Sequence, residues 1–492
     1  MKRYILSLDQ GTTSTRAILF DNQGQAKFIA QREIQCLYPH PGWVEADALS
    51  IWVSVIDVIN EVLIKANITM SDIDSIGLSN QRETTVVWNK ETGMPIYHAI
   101  VWQSRQSLDI CEKLNDKRDF IHQKTGLLIN PYFSASKIRF ILDHIPDGQK
   151  KAENGELLCG TIDSWLIYKM TKGKVHATDI SNASRTLLFN INSLMWDKEI
   201  CEIFHIPMKM LPTVRPSSFC YGNASFFDPN ITIQGVAGDQ QAALFGQACF
   251  EKGESKNTYG TGCFMLLNTG ESPVFSHSGL LTTVAWQIGN QVTYALEGSV
   301  FVGGAAVQWL RDEMKIISQS SESEHAAFSA SDTEGLYFVP SFVGLGTPYW
   351  DNEARGAIVG ITRGTDKNQI IRATLEGIAY QCKDVFSVMD KETKCSIKSL
   401  RVDGGATANK YLMQFQSDIL QLDIILPKCL ETTALGAAYL AGLNSGFFKS
   451  IDEIKKIHCY QTIYHPQMSK IEMARRYKGW GKAIKAVRSF KL

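Results

Sequence analysis

The chain has 492 residues, 44% hydrophobic and 20% charged, with 50 basic side chains set against 50 acidic ones. That length holds two or three domains with their own cores, and the composition is that of a folded protein, not a disordered one. Zero net charge argues against a polyanion such as nucleic acid as the dominant partner, and no apolar run reaches the ~18 residues of a membrane span. Asp9 and a polar turn interrupt what a signal peptide would keep apolar, and the 11 cysteines show no CxxC or zinc spacing. The expectation is a soluble cytoplasmic protein with reduced thiols.

Tyr4 to Asp21 reads as two apolar strands around a tight turn, with Asp9 at the end of the first and Gly11, Thr12, Thr13 and Ser14 between them. Backbone and hydroxyl donors suit phosphate oxygens, and a carboxylate suits a hydrated divalent cation. An ordinary hairpin turn uses the same residue types. A Pro- and Gly-containing loop, 36–47, precedes a helix through Ile51, Val55, Val58, Ile59 and Val62, capped by Asp47 or Ser50. Ile73 to Leu78 is a strand that ends in the polar cluster Ser79-Asn80-Gln81-Arg82-Glu83, a suitable place for ligand contacts, and Thr84 to Trp88 resumes a β-rich run. A charged helical stretch is expected over 108–121, a loop at Asn130 to Phe133, and a strand-to-helix passage over 161–170. Residues 219–233 show no clear period.

Ile233 to Gly246 predicts a short strand, a Gly238-Asp239 turn and a helix of small residues, and Asn257 to Thr269 a second glycine-threonine hairpin. A phosphate-type turn therefore opens each half, which suggests a duplicated architecture. Gly303 and Gly304 lead into a helix through Trp309. Residues 318–333 read as a surface loop or ragged helix end, and Val343 to Trp350 as a loop. Ile371, Leu375, Ile378, Cys382 and Val385 mark an amphipathic helix. Leu400 to Asn409 repeats strand, acidic residue, double glycine and helix; Thr433 to Gly442 is an Ala- and Gly-rich helix fit for close packing. The basic tail, 475–492, carries Trp480, Ile484 and Val487 at helical spacing and reads as a terminal helix with a solvated face. The boundary between two α/β units, 1–248 and 249–492, falls near Cys249 to Ser255.

The ordered set LDQGTTSTRA, PGWVEAD, SNQRETTVVW, IVWQ, NPYFS, NASRTLLFNI, GVAGDQQAALFGQ, NTYGTGCFML, LEGSVFVGGAAVQWLRDE, GLGTPYWD, RVDGGATANKYLMQFQSDIL and TALGAAYLAG resembles the FGGY carbohydrate kinases, within the actin/hexokinase/Hsp70 ATPase superfamily, over essentially the whole chain. The resemblance implies two RNase-H-like, actin-like ATPase domains with an interdomain cleft, and phosphoryl transfer from Mg²⁺-bound ATP to glycerol. It makes Asp239 the general base, a role compatible with that of a helix cap, and pairs Asp9 with Asp239 at the metal. For glycerol it implies Arg82, Glu83, Tyr132, Asp239 and Gln240 on the hydroxyls, with Trp102 and Phe264 as walls. Without the resemblance an Arg-Glu pair reads as a surface ion pair contributing ~0–1 kcal/mol, and a single aromatic ring as core.

For ATP the matching residues are Thr12, Thr13, Ser14 and Arg16, then Thr261 and Gly262 opposite. Gly304, Gln308, Gly405, Ala406 and Asn409 match the nucleoside side. Arg16 also reads as an exposed strand charge. A homodimer or homotetramer is implied, without nucleic-acid or membrane partners. Some relatives bind fructose 1,6-bisphosphate through a loop with an Arg, or carry a phosphorylatable loop His. Residues 221–233 hold no Arg, and no His lies between His205 and His277, so neither control is expected. Two rivals share many of these features: a pentulose or polyol kinase of the same family, and a non-catalytic actin-like scaffold.

Overall fold

Ile5, Leu6 and Leu8 pair antiparallel with the run from Ala17 to Phe20, and all of these side chains are fully buried. Both strands are covered on two faces, which is why they read as continuous apolar runs. The computed structural model describes residues 2–351, 353–393, 395 and 397–490. Residue 1 of the first expected unit, and residues 491 and 492 of the basic tail, lie outside the described residues.

Strands β1 (Tyr4–Gln10), β2 (Ser14–Phe20) and β3 (Ala26–Glu33) form a meander. Helix α1 (Ala48–Ala66), capped by the Asp47 carboxylate, leads to β4 (Ile73–Asn80), parallel to β1. Strand β5 (Ser218–Asn223) turns into β6 (Thr232–Gly238), parallel to β4, and α2 (Asp239–Gly246) follows with no intervening loop.

The pattern then repeats. Strands β7 (Ser255–Tyr259), β8 (Cys263–Gly270), β9 (Leu281–Ile288) and β10 (Gln291–Val300) are antiparallel neighbours. Helices α3 (Gly304–Asp312) and α4 (Lys367–Thr393) lead to β11 (Ser399–Asp403), parallel to β7. Helix α5 (Lys410–Leu420) connects to β12 (Asp423–Pro427), parallel to β11; α6 (Thr432–Ser445), β13 (Tyr460–Tyr464) and α7 (Lys470–Ser489) complete the chain. The spatial orders β3-β2-β1-β4-β6 and β10-β8-β7-β11-β12 are the same RNase-H-like ribbon written twice, so the expected duplication is present. A single pairing, Ser218 with Ile288, joins the two ribbons into one 13-stranded sheet.

The halves meet along α2 and α6, where only small residues fit. A Cβ on Gly436 would stand 1.8 Å from the Ala242 carbonyl oxygen, and one on Gly246 would stand 2.0 Å from that of Thr432. Helix α6 follows a strand of the second half yet lies on the sheet of the first. Ser7 Oγ donates to the Ala434 carbonyl at 2.6 Å and Ser218 Oγ to that of Leu440 at 2.8 Å.

Three local expectations are corrected. The stretch 108–121 is not one helix: it breaks into Leu108–Glu112, a 3-10 turn at Asn115–Lys117 and Arg118–Thr125. Asn115 and Asp116 are residue types whose side chains compete for local backbone groups and disfavour a continuous helix. Residues 318–333 contain a helix, Glu322–Ser329, whose Ala326 and Ala327 are buried beside α4 and α5; an apolar face made of alanines is easily missed in a Ser-rich segment. Residues 219–233 hold most of β5 and the start of β6, with Phe226 and Phe227 at ring-centroid distances of 4.8 and 5.8 Å from Trp52. Helix α7 is docked through buried Trp480, Ile484 and Val487, as its spacing predicted.

Candidate active site

The site grows out of strand ends. Asp9 and Ala237 are both level with Ser79 of β4, so β1 and β6 end two strand spacings apart, roughly 10 Å. Loops leaving the carboxyl ends of such strands form a natural ligand crevice. The turn after β1 is closed by Gly11 N–H donating to the Ser14 carbonyl at 2.9 Å. Gln81 ties that turn to the loop after β4: its N–H donates to the Gln10 carbonyl at 2.8 Å and its Nε2 to the Gly11 carbonyl at 3.1 Å.

Arg82 and Glu83 follow β4 and are both buried, so the sequence-level alternative of a surface pair is ruled out. Arg82 Nε lies 3.3 Å from Asp239 Oδ1 and 3.7 Å from Glu83 Oε1, and its Nη2 donates to Tyr132 Oη at 3.3 Å. The Arg82 stem crosses Gly238 so closely that a Cβ there would meet its Cγ at 2.7 Å. Asp239 opens α2 after Gly238, which itself takes the N-cap position, and Asp239 Oδ1 accepts from the Gln240 N–H at 2.7 Å. Its side chain is 29% exposed, whereas that of Arg82 beside it is 2% exposed. Trp102 packs edge-on against Tyr132 at 5.5 Å and Phe264 at 6.1 Å, so aromatic faces from both halves wall one space. Trp102 Nε1 also donates to Thr12 Oγ1 at 2.8 Å, which links these rings to the turn after β1.

Charge is arranged around Asp239. Burial pushes its carboxyl above the usual range, Arg82 opposes that rise, and Glu83 adds to it. Burial lifts Asp9 to about 7, against the pull of Arg16 and with the help of Asp239. Among the described residues no group of three or more His, Cys, Asp or Glu is placed to hold a metal. The pair Asp9 and Asp239 suits Mg²⁺, which takes one or two carboxylates and completes its shell with water and phosphate. Arg16 sits level with Asp9 across the hairpin and pairs with Glu431, at the entry to α6, at 2.8 Å.

The second half offers backbone rather than charge. Turn 260–262 is docked on the start of α3: Gly303 N–H donates to the Thr261 carbonyl at 2.8 Å and Gly304 N–H to that of Gly260 at 2.9 Å. A Cβ on Gly262 would stand 2.5 Å from the Val300 carbonyl oxygen, so this position tolerates no side chain. A Cβ on Gly405 would meet nothing within 4 Å, which leaves its backbone open to a ligand. Gly304 and Ala406 face each other, and Gln308 is exposed on α3. Asn409 caps α5 through its Oδ1 and donates from Nδ2 to Ser323 Oγ at 3.1 Å. Asp403, the acidic residue before the double glycine, is buried and accepts from Gln247 and Thr432, stapling the α2–α6 seam.

Sequence reasoning missed four residues here. Glu297 of β10 and Arg185 are fully buried against Arg82 and Glu83. Lys256, which burial lowers to about 8, donates to the Gln240 side chain, and to Thr258 Oγ1 at 2.8 Å. Lys137 donates to the carbonyls of Pro131 and Phe133 and holds the Tyr132 loop in place. Arg185 and Glu297 each stand as a lone charge in a string of apolar and small residues, which was the available signal; Lys256 follows the charged stretch 251–254 and carries no such signal.

Residues 4–246 match the model of the FGGY family of carbohydrate kinases, N-terminal domain, and residues 255–445 match the C-terminal domain model. The chain is 57% identical to a glycerol kinase of Geobacillus sp. (strain WCH70) over 496 residues, covering 100% of both chains. It is also 57% identical to a glycerol kinase of Oceanobacillus iheyensis, covering 100% of this chain and 99% of that one. A crystal structure of Plasmodium falciparum glycerol kinase with ADP superposes with a TM-score of 0.92 at 36% identity, over 99% of this chain and 98% of that one. By both domain models and by full-length identity, the chain belongs to the FGGY family of carbohydrate kinases.

Proposed function

We propose that the chain transfers the terminal phosphoryl group of ATP to glycerol, forming sn-glycerol 3-phosphate, in the cleft between its halves. The observation that carries this reading is the Arg82–Asp239 contact at 3.3 Å beside an aromatic wall of Trp102, Tyr132 and Phe264. A three-carbon polyol needs hydrogen-bonding groups on its hydroxyls and flat surfaces on its carbons. Arg82, Glu83, Tyr132, Asp239 and Gln240 serve the first need; Trp102 and Phe264 serve the second and leave little room for a five-carbon sugar. Asp239 takes the proton of the attacking hydroxyl, and its raised affinity for a proton suits that task.

Thr12, Thr13, Ser14 and Arg16 on one side, and Thr261 and Gly262 on the other, hold the phosphates. Gly304, Gln308, Gly405, Ala406 and Asn409 line the nucleoside side. Asp9 and Asp239 are the residues that would hold Mg²⁺, which would supply neutralisation of phosphate charge. We read 1–248 and 249–492 as the two units that close on the substrates, a homodimer or homotetramer as the assembly, and the cytoplasm as the compartment. The 11 free thiols fit a reducing environment. Among the described residues no helix is long and apolar enough to cross a membrane.

The test is ADP release measured across glycerol, erythritol, xylulose and ribulose. Glycerol is expected to give the highest kcat/KM; clear preference for a pentulose would overturn the substrate assignment.

A further inference from the structure

Behind the polyol pocket four buried side chains close a ring of alternating charge. Glu297, fully buried on β10, accepts from both Nη atoms of Arg82, the Nη2 contact being 3.0 Å, and from Arg185 Nη2 at 3.0 Å. Arg185, also fully buried, donates from Nε to Glu83 Oε1 at 2.7 Å. Glu83 Oε1 in turn lies 3.7 Å from Arg82 Nε, which completes the ring. The fully buried guanidinium of Arg185 sits over the rings of Tyr132 and Phe133, at 5.9 and 5.4 Å.

The ring settles a geometric problem. Arg82 and Glu83 are neighbours in sequence, and an unconstrained Arg side chain is spread over many rotamers. With both Nη atoms turned onto Glu297, the Nε edge of Arg82 is left facing Asp239, and Nη2 keeps its contact with Tyr132. Glu83 is likewise turned by Arg185. Three members come from the first half and Glu297 from the second, so the polyol site depends on the junction between the two ribbons.

We infer that Glu297 and Arg185 are positioning residues for glycerol: Glu297 sets the plane of the Arg82 guanidinium, and Arg185 sets the Glu83 carboxylate. This rests on the reading of Arg82 and Glu83 as polyol ligands. Neither positioning residue touches substrate; each acts through the side chain in front of it. Preorganisation of this kind matters because small misplacements of a binding group cost disproportionately in rate.

The experiment compares Glu297→Gln and Glu297→Asp with the unmodified enzyme, with KM for glycerol and KM for ATP measured separately and thermal melting as the folding control. The Gln variant keeps an acceptor but removes the charge that holds two guanidiniums. Its KM for glycerol is expected to rise about tenfold or more, with KM for ATP within about twofold. The Asp variant keeps the charge, one methylene short, and is expected to recover part of that loss. Loss of a buried partner can unfold a protein; if the Gln variant has no cooperative melt, the Asp variant decides, with an expected rise in glycerol KM of about threefold. A glycerol KM within twofold of the unmodified enzyme in every folded variant, or equal rises in both KM values, overturns the inference. An unmodified enzyme with no glycerol-dependent ADP release would instead remove the functional reading on which the inference stands.

Discussion

The two halves share a topology and divide the chemistry. After the fourth strand of the ribbon the first half places Arg82 and Glu83, while the second places Gly404 and Gly405. After the first strand of each ribbon a glycine-threonine turn follows, but only the first half sets a carboxylate, Asp9, just before it. The charged side chains that the proposed function assigns to the polyol, Arg82, Glu83 and Asp239, therefore follow strands of one ribbon, and the glycine backbone it assigns to the nucleoside, Gly405, follows a strand of the other. A duplicated fold supplies two crevices at equivalent strand ends, and residue identity at those ends decides which ligand each takes.

The sharpest way to break this division is Asp239→Asn. The change keeps shape and removes the proton acceptor, so turnover is expected to fall about 10²–10⁴-fold while nucleotide binding, followed by titration, persists. Near-normal turnover would mean that the charged half does not perform the chemistry.

The junction between halves comes next. In Gly436→Val the added Cβ would stand within 1.8 Å of the Ala242 carbonyl oxygen, so α2 and α6 must part. Overpacking of this kind costs ~1–3 kcal/mol, and a lowered melting temperature is expected, with both KM values raised together. Gly405→Ala, whose Cβ would enter open space, is expected to leave melting unchanged and to weaken ATP more than glycerol. Equal effects on both substrates would blur the proposed division.

Phe264→Ala removes the one pocket wall that the second half contributes. A severalfold rise in KM for glycerol and a gain in activity on erythritol are expected, measured in the same ADP-release assay.

The smallest effect is one of pH. Asp384 on α4 is raised to about 6 by burial, although Tyr477 and Trp480 of α7 donate to it at 2.6 and 2.8 Å. Between the unfolded value of 3.8 and about 6 the folded state holds a proton that the unfolded state has lost, so this group lowers stability as pH rises through that window. Relative to Asp384→Asn, the unmodified protein is expected to lose melting temperature from pH 4 to pH 6; a flat difference would show that Asp384 does not titrate there.

Much of this molecule is legible in its amino-acid sequence. Strands buried on both faces read as apolar runs, and the turns at Gly11, Gly238 and Gly404 stood out because glycine beside a hydroxyl or carboxylate is local chemistry. The helix Glu322–Ser329 was hidden because its buried face is made of alanine and serine. Residues 108–121 misled because charge at helical spacing resembles a helix even where no continuous apolar face exists to hold one.

Local sequence determined most of the elements and the phosphate-type turns, since each depends on a few adjacent residues and their conformational limits, while the choice of Asp239 as base came from the family resemblance. Only the tertiary structure decided which charges meet. Glu297 lies 215 positions from Arg82, and Arg185 lies 102 from Glu83. Electrostatic partners in a buried ring are chosen by the folding of strands onto one another, and no period or spacing along the chain encodes that encounter.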